Sequence, residues 1–151
     1  MKIIQLTQGK SALVDDADYA ELSQFKWHAH QNRKGKWYAQ RKMGHRHVRI
    51  HEFLTGVMCD HKDLDGLNNQ RSNLRPCTHS QNMANQGVRA TNKSGYKGVF
   101  WNPQRGRWRA NFRGGYLGSF LSSKDAAAAY DEAAVRHFGE FALTNKKMGL
   151  L

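Results

Sequence analysis

At 151 residues the chain has room for one ordinary domain or two small ones, which excludes large layered architectures. Its 24 Lys and Arg against 12 Asp and Glu give a formal charge of +12 and a pI near 10.1, so a polyanion is the default partner and nucleic acid the expected one. An anionic membrane would call for a basic amphipathic helix or a spanning apolar run, and the sequence carries neither.

The opening Met1-Lys2-Ile3-Ile4-Gln5-Leu6 runs at once into polar Thr7-Gln8-Gly9-Lys10, which is not a secretory pattern, and a cytoplasmic chain that is not secreted is expected. Two cysteines, Cys59 and Cys77, are too few for a disulfide framework and read as small reduced residues. Ile3-Ile4-Gln5-Leu6 and Ala12-Leu13-Val14 predict two short strands about a Gln8-Gly9 turn, and Asp16 is placed to cap a helix through Leu22. Lys26–His30 and Lys36–Arg41 alternate about the basic turn Asn32-Arg33-Lys34-Gly35 as a hairpin does. Val48–Leu54 predicts a strand passing into a helix that Gly56 ends.

The stretch from Val57 to Met83 carries the chemistry. It predicts an apolar strand ending in Asp60-His61, a turn-rich loop through Asp65-Gly66 and Asn68-Asn69, and a helix capped near Thr78 that runs past Asn82. Asp60-His61, Asn73-Leu74-Arg75 and Asn82, in this order and spacing, resemble the HNH endonucleases, in particular the phage and intron-encoded branch whose third motif residue is Asn. The resemblance covers residues 1–87 and implies a ββα-metal (His-Me finger) nuclease. It implies hydrolysis of phosphodiester bonds with one Mg²⁺ or Mn²⁺, His61 as the general base, and Asp60 with Asn82 holding the ion. Hard oxygen donors suit that ion, and an imidazole titrating near neutrality suits the base. Neighbours on a strand point to opposite faces, so a loop or bulge is expected to redirect Asp60 or His61 toward a common phosphate. Asn73 is expected to tie the loop together, and His51 to be structural or to contact phosphate.

Zinc is the rival metal, since Cys59-Asp60-His61 and Cys77-Thr78-His79 together offer two thiolates and two imidazoles. The C-x-H spacing departs from the usual zinc pairs, and zinc is not expected.

Residues 86–95 lack an apolar period, and 88–93 read as a linker. Both sides are basic, with 14 basic and 8 acidic residues in 1–90 and 10 basic and 4 acidic in 91–151. From Lys93 to Arg113 there are six basic residues and no acidic one. Alternation and glycine turns predict three strands packed through Val99, Trp108, Ala110 and Phe112, followed by a helix capped at Ser122-Ser123-Lys124-Asp125 and stopped at Gly139. Ser94-Gly95-Tyr96-Lys97-Gly98-Val99, Tyr130-Asp131-Glu132-Ala133-Ala134 and Leu143-Thr144-Asn145 resemble the AP2/ERF domain over residues 94–146. That resemblance implies a sheet lying in the DNA major groove. It transfers the contact face to Lys97, Phe100, Asn102, Arg107, Arg109, Asn111, Arg113 and Tyr116. Phe100 and Gln104 depart from the Arg and Trp usual in plant members, so base preference does not carry over.

The fold expected is α+β, a ββα-metal domain followed by a three-stranded antiparallel sheet on one helix. The function expected is a homing-type nickase of phage or mobile-element kind, monomeric and acting on double-stranded DNA, with one active site per chain. The competing reading is a DNA-binding transcription regulator that keeps an HNH scaffold without catalysis.

Overall fold

The computed structural model describes residues 1–151, and the architecture is α+β, several small antiparallel sheets with few helices. By internal contacts the chain divides into two compact units, Met1–His79 and Ser80–Leu151.

In the first unit β1 (Lys2–Gln5) pairs antiparallel with β2 (Ser11–Val14). Gln8 and Gly9 make the tight reversal between them with φ of 59° and 64°. Helix α1 (Asp16–Leu22) starts one residue earlier than a cap at Asp16 would place it, and Asp15 stands at the N-cap without capping. The Asp15 carboxylate is drawn away because it accepts from the Arg71 amide at 2.8 Å and from Gln70 Nε2 at 3.2 Å. Arg71 in turn forks onto buried Asp18, with Nη2 2.7 Å from Oδ1.

Strands β3 (His28–Gln31), β4 (Trp37–Met43) and β5 (Arg46–Arg49) form one antiparallel sheet in that order. The first hairpin is closed by Asn32, whose Oδ1 accepts from the amides of Lys34 and Lys36 at 2.9 and 3.0 Å, an Asx turn. Helix α2 (Ile50–Thr55) follows β5 directly and stops at Gly56 with φ of 66°. Ile4, Ala12, Val14, Leu22, Trp27, Ala39 and Ile50 form the core. Burying Leu22, Ile50 and Val14 completely stabilises the unit by about 1.5–3 kcal/mol each. The short strands β6 (Cys59–His61) and β7 (Leu74–Pro76) pair antiparallel at one end of this unit. Helix α3 (His79–Ala84) begins with the last residue of the first unit.

The second unit has β8 (Val99–Asn102), β9 (Arg107–Phe112) and β10 (Gly115–Phe120) with β9 central, and α4 (Ser123–Phe138) packed on one face. Ser122 Oγ accepts from the Lys124 amide at 3.1 Å and starts α4. The core is small, with Val99 and Ala110 against Ala126 and Ala127, flanked by Tyr96, Trp108 and Phe120. Gly98 is required where β8 begins. Its φ is 77°, and a Cβ there would meet the Tyr130 ring at 1.9 Å. Buried Asp131 on α4 accepts from Asn145 N at 2.7 Å, Asn145 Nδ2 at 2.9 Å and Lys146 N at 2.9 Å, which folds the C-terminal segment back onto the helix. No helix is long and apolar enough to cross a membrane.

Candidate active site and nucleic-acid interface

Residues 62–73 are held as a loop by side-chain to backbone bonds. Asn73 Oδ1 accepts from the Asp63 amide at 3.1 Å, and its Nδ2 donates to Asn68 O at 2.8 Å and Asp63 Oδ1 at 2.9 Å. Asp63 also accepts from the Asp65 amide and from Asn68 Nδ2. Burial alone would raise the Asp63 carboxyl, but these bonds and nearby His61 outweigh it and hold the group below its usual value. Gly66 lets the loop lie against β4, since a Cβ there would meet Trp37 O at 2.4 Å.

Register across β6 and β7 is regular, with Asp60 opposite Arg75 and His61 opposite Leu74, so the expected bulge is not there. The two side chains consequently meet different partners. Asp60 lies in a buried two-pronged pair with Arg75, Nε to Oδ1 at 2.7 Å and Nη2 to Oδ2 at 3.1 Å. His61 packs edge-on against His51 with ring centroids 4.8 Å apart, and Tyr38 lies 6.0 and 6.2 Å from these two rings. His61 Nε2 is 3.5 Å from Asn69 Oδ1, and Asn69 is oriented by its own Nδ2 donating to Leu67 O at 3.1 Å. Burial lowers the His61 imidazole, against the opposing pull of Asn69 and the acidic side chains near it. His51 is pushed down to about 3, chiefly by burial and secondarily by His61 and Arg49. Its Nδ1 is buried with no hydrogen-bond partner in the protein.

Burial thus favours the uncharged form of both rings. Burial raises Cys59 and carries Cys77 up to about 11. Asn82 lies half-buried on α3, within the second unit.

The structure does not gather all eight of the expected DNA-contact residues on one face. Alternation along β8, β9 and β10 turns Val99 and Ala110 inward, and leaves Phe100, Arg107, Arg109, Asn111 and Tyr116 outward. Phe100 and Tyr116 are 54% and 55% exposed. The Arg109 guanidinium lies 5.0 Å over the Tyr116 ring and its Nε donates to Asn111 Oδ1 at 2.8 Å, so the fork is aimed before any ligand arrives. Phe100, Gln104, Arg109 and Asn111 line an open cleft.

Asn102 builds the β8–β9 turn, its Oδ1 accepting from the amides of Gln104 and Arg105. Lys97 is turned away from the outward set. Its Nζ donates to the carbonyls of Ala84, Gln86 and Leu143 at 2.7, 2.8 and 3.1 Å. Burial lowers its ammonium to about 8, with Asp131 opposing. Arg113 reaches Ser80 Oγ at 3.1 Å and His137 Nε2 at 3.2 Å.

The sequence assigned Arg75 no role and left Tyr38 and Asn69 aside. Arg75 comes to Asp60 through the β6–β7 pairing, and no strand was expected at Leu74–Pro76 to reveal it. Asn69 and Tyr38 come to His61 through loop and sheet geometry that spacing does not reveal.

Comparison with known proteins gives partial likenesses. The chain is 28% identical over 149 residues to a protein of Acanthamoeba polyphaga mimivirus named as an uncharacterized HNH endonuclease, an alignment covering 92% of this chain and 76% of that protein. It is 41% identical over 59 residues, 35% of this chain and 12% of the relative, to the AP2-like ethylene-responsive transcription factor AIL7 of Arabidopsis thaliana. It is 33% identical over 73 residues, 45% of this chain and 60% of the relative, to protein 3.8 of Escherichia phage T7. The chain thus spans about three quarters of the mimivirus protein and much less of the plant factor. No family model and no solved structure matches it.

Proposed function

We propose that the chain is an HNH-type DNA endonuclease, a homing-type nickase of phage or mobile-element kind, held on double-stranded DNA by the outward face of β8, β9 and β10. The observation that carries the reading is the buried His61 imidazole. It is held by Asn69 and sits one residue from a buried carboxylate, in a chain similar over most of its length to a protein named as an HNH endonuclease.

The donor chemistry fits a hard divalent cation, Mg²⁺ or Mn²⁺. Asp60 offers carboxylate oxygens and the Asn82 amide a carbonyl oxygen, the hard donors such an ion takes. An ion of this kind takes one or two protein ligands and keeps most of its waters. Asp60 and Asn82 are the residues that would hold the cation, which when bound would supply neutralisation of charge on the scissile phosphate and the leaving 3′ oxygen.

The remaining steps belong to the side chains. His61, whose ring is set beside Asn69 Oδ1, accepts the proton of the attacking water. Hydrolysis leaves a 5′-phosphate and a 3′-hydroxyl. Arg75 fixes the Asp60 carboxylate in direction. Arg107 and Arg109 reach phosphate and base edges, and Phe100 and Tyr116 give apolar contact with them. Tethering cutting and holding in one chain raises the occupancy of the cutting site without further contacts. One site per chain makes the monomer a nicking enzyme.

Supercoiled plasmid incubated with the full chain tests this. Open circles should form with Mg²⁺ or Mn²⁺, and neither with EDTA nor with His61→Ala, while His61→Ala still shifts the duplex. Retained duplex binding without nicking by the wild type would sink the enzyme and favour the regulator.

A further inference from the structure

Two of the eight residues placed on the DNA face by the AP2/ERF resemblance leave that face and grip α3 instead. Lys97, just before β8, spends its three N–H donors on carbonyls. Ala84 O is the last carbonyl of α3, Gln86 O lies two residues beyond, and Leu143 O belongs to the C-terminal segment. Ala84 O accepts a second bond from the Leu143 amide at 3.3 Å. At the other end of α3, Arg113 Nη1 donates to Ser80 Oγ while its guanidinium lies against His137 and Phe138 of α4.

Arg113 also holds a conformation that its residue type disfavours. It occupies the turn between β9 and β10 with φ of 51°, followed by Gly114 at 83°, the primed turn in which Asn or Gly fits best. Keeping Arg there strains the backbone, and Asn would relieve it. Burying the Lys97 ammonium carries a cost too, shown by its lowered pKa of about 8. Two costly choices that converge on one short helix point to that helix.

We infer that Lys97 and Arg113 are positioning residues that seat α3, from Ser80 onward, on the second unit. The helix carrying Asn82 is then set by the sheet, and the second unit both holds DNA and fixes the direction of Asn82. The seating stands on the contacts alone. Its consequence for cutting rests on the proposed nuclease reading.

Amide hydrogen exchange on the full chain separates the two. In Arg113→Asn, which relieves the turn and so folds at least as well, amides of residues 80–86 should exchange about tenfold faster than in wild type, the loss of roughly one hydrogen bond. Lys97→Met should do the same, and Arg109→Ala should not. Arg113→Lys keeps a charge suited to phosphate but loses the fork, so it should exchange like Arg113→Asn. On supercoiled plasmid at saturating protein, the Arg113 variants should cut at least about fivefold more slowly with duplex affinity within about twofold, the pattern of an effect on the chemical step rather than on binding. Unchanged exchange at 80–86 in Arg113→Asn and Lys97→Met would overturn the seating, as would wild-type exchange in Arg113→Lys. Variants that lose affinity and keep the cutting rate would restore these residues to the DNA face and overturn the consequence. If the wild type does not nick, the nuclease reading fails and the exchange data alone decide the seating.

Discussion

In the first unit Asp60, His61, Asn73 and Arg75 are buried, whereas in the second Phe100, Arg107 and Tyr116 stand in solvent. Asp60, His61, Asn73 and Arg75 are each under a tenth exposed, and Phe100 and Tyr116 are more than half exposed. A buried polar network has one arrangement, because each donor lost leaves a partner unsatisfied in a medium of low dielectric. An exposed cationic face tolerates change, because water takes the place of any contact removed. Damage to the first unit should therefore be large and local, and damage to the second should be graded and dependent on salt.

The largest expected effect sharpens that contrast at His61. His61→Ala should lower nicking by about 10²–10⁴-fold, the usual contribution of a positioned general base, without altering duplex affinity in a gel-shift titration. Next is Arg75→Ala, which leaves the Asp60 carboxylate buried and unpaired by its guanidinium. It should cost about 3–5 kcal/mol in urea unfolding, and a loss below about 1 kcal/mol would break the claim that this pair is buried and interdependent. Smaller is Arg109→Ala. It should weaken duplex binding by about 1–3 kcal/mol and reduce the slope of log affinity against log salt by about one, with no change in unfolding.

The smallest effect is a pH dependence at Lys97, the second unit's exception, where a cation is buried. Its folded value of about 8 lies below the ordinary 10.5. Between these values the unfolded chain keeps a proton that the folded chain has released, so stability rises with pH across that window and is lowest, for this group, below 8. Urea unfolding at pH 7.5 and 10 should show that rise in wild type relative to Lys97→Met, and parallel behaviour of the two would contradict it.

Much of this was legible in the sequence because local rules carry it. The hairpin at Asn32–Gly35 and the helix from Ser122 to Gly139 are written in turn and cap residues that act within a few positions. The α+β class follows from those elements. Contacts that cross the chain were not legible. Asp15 was passed over as a cap because nothing local says that Arg71 and Gln70 claim it. The regular pairing of β6 and β7 separates the partners of Asp60 and His61, where a shared phosphate suggested a bulge. Lys97 and Arg113 match a DNA-contact pattern by position, yet their long side chains bond α3. The direction of a flexible side chain depends on what the fold brings near it.

The division of labour between the units is tested most directly by single-turnover cutting of one labelled duplex. Wild type, His61→Ala and Arg109→Ala would each be followed over a range of protein concentrations with Mg²⁺. The account predicts that Arg109→Ala reaches the wild-type rate at higher protein, while His61→Ala binds like wild type and does not cut at any concentration. Cutting by His61→Ala at the wild-type rate, or no cutting by wild type on a duplex it saturates, would contradict it.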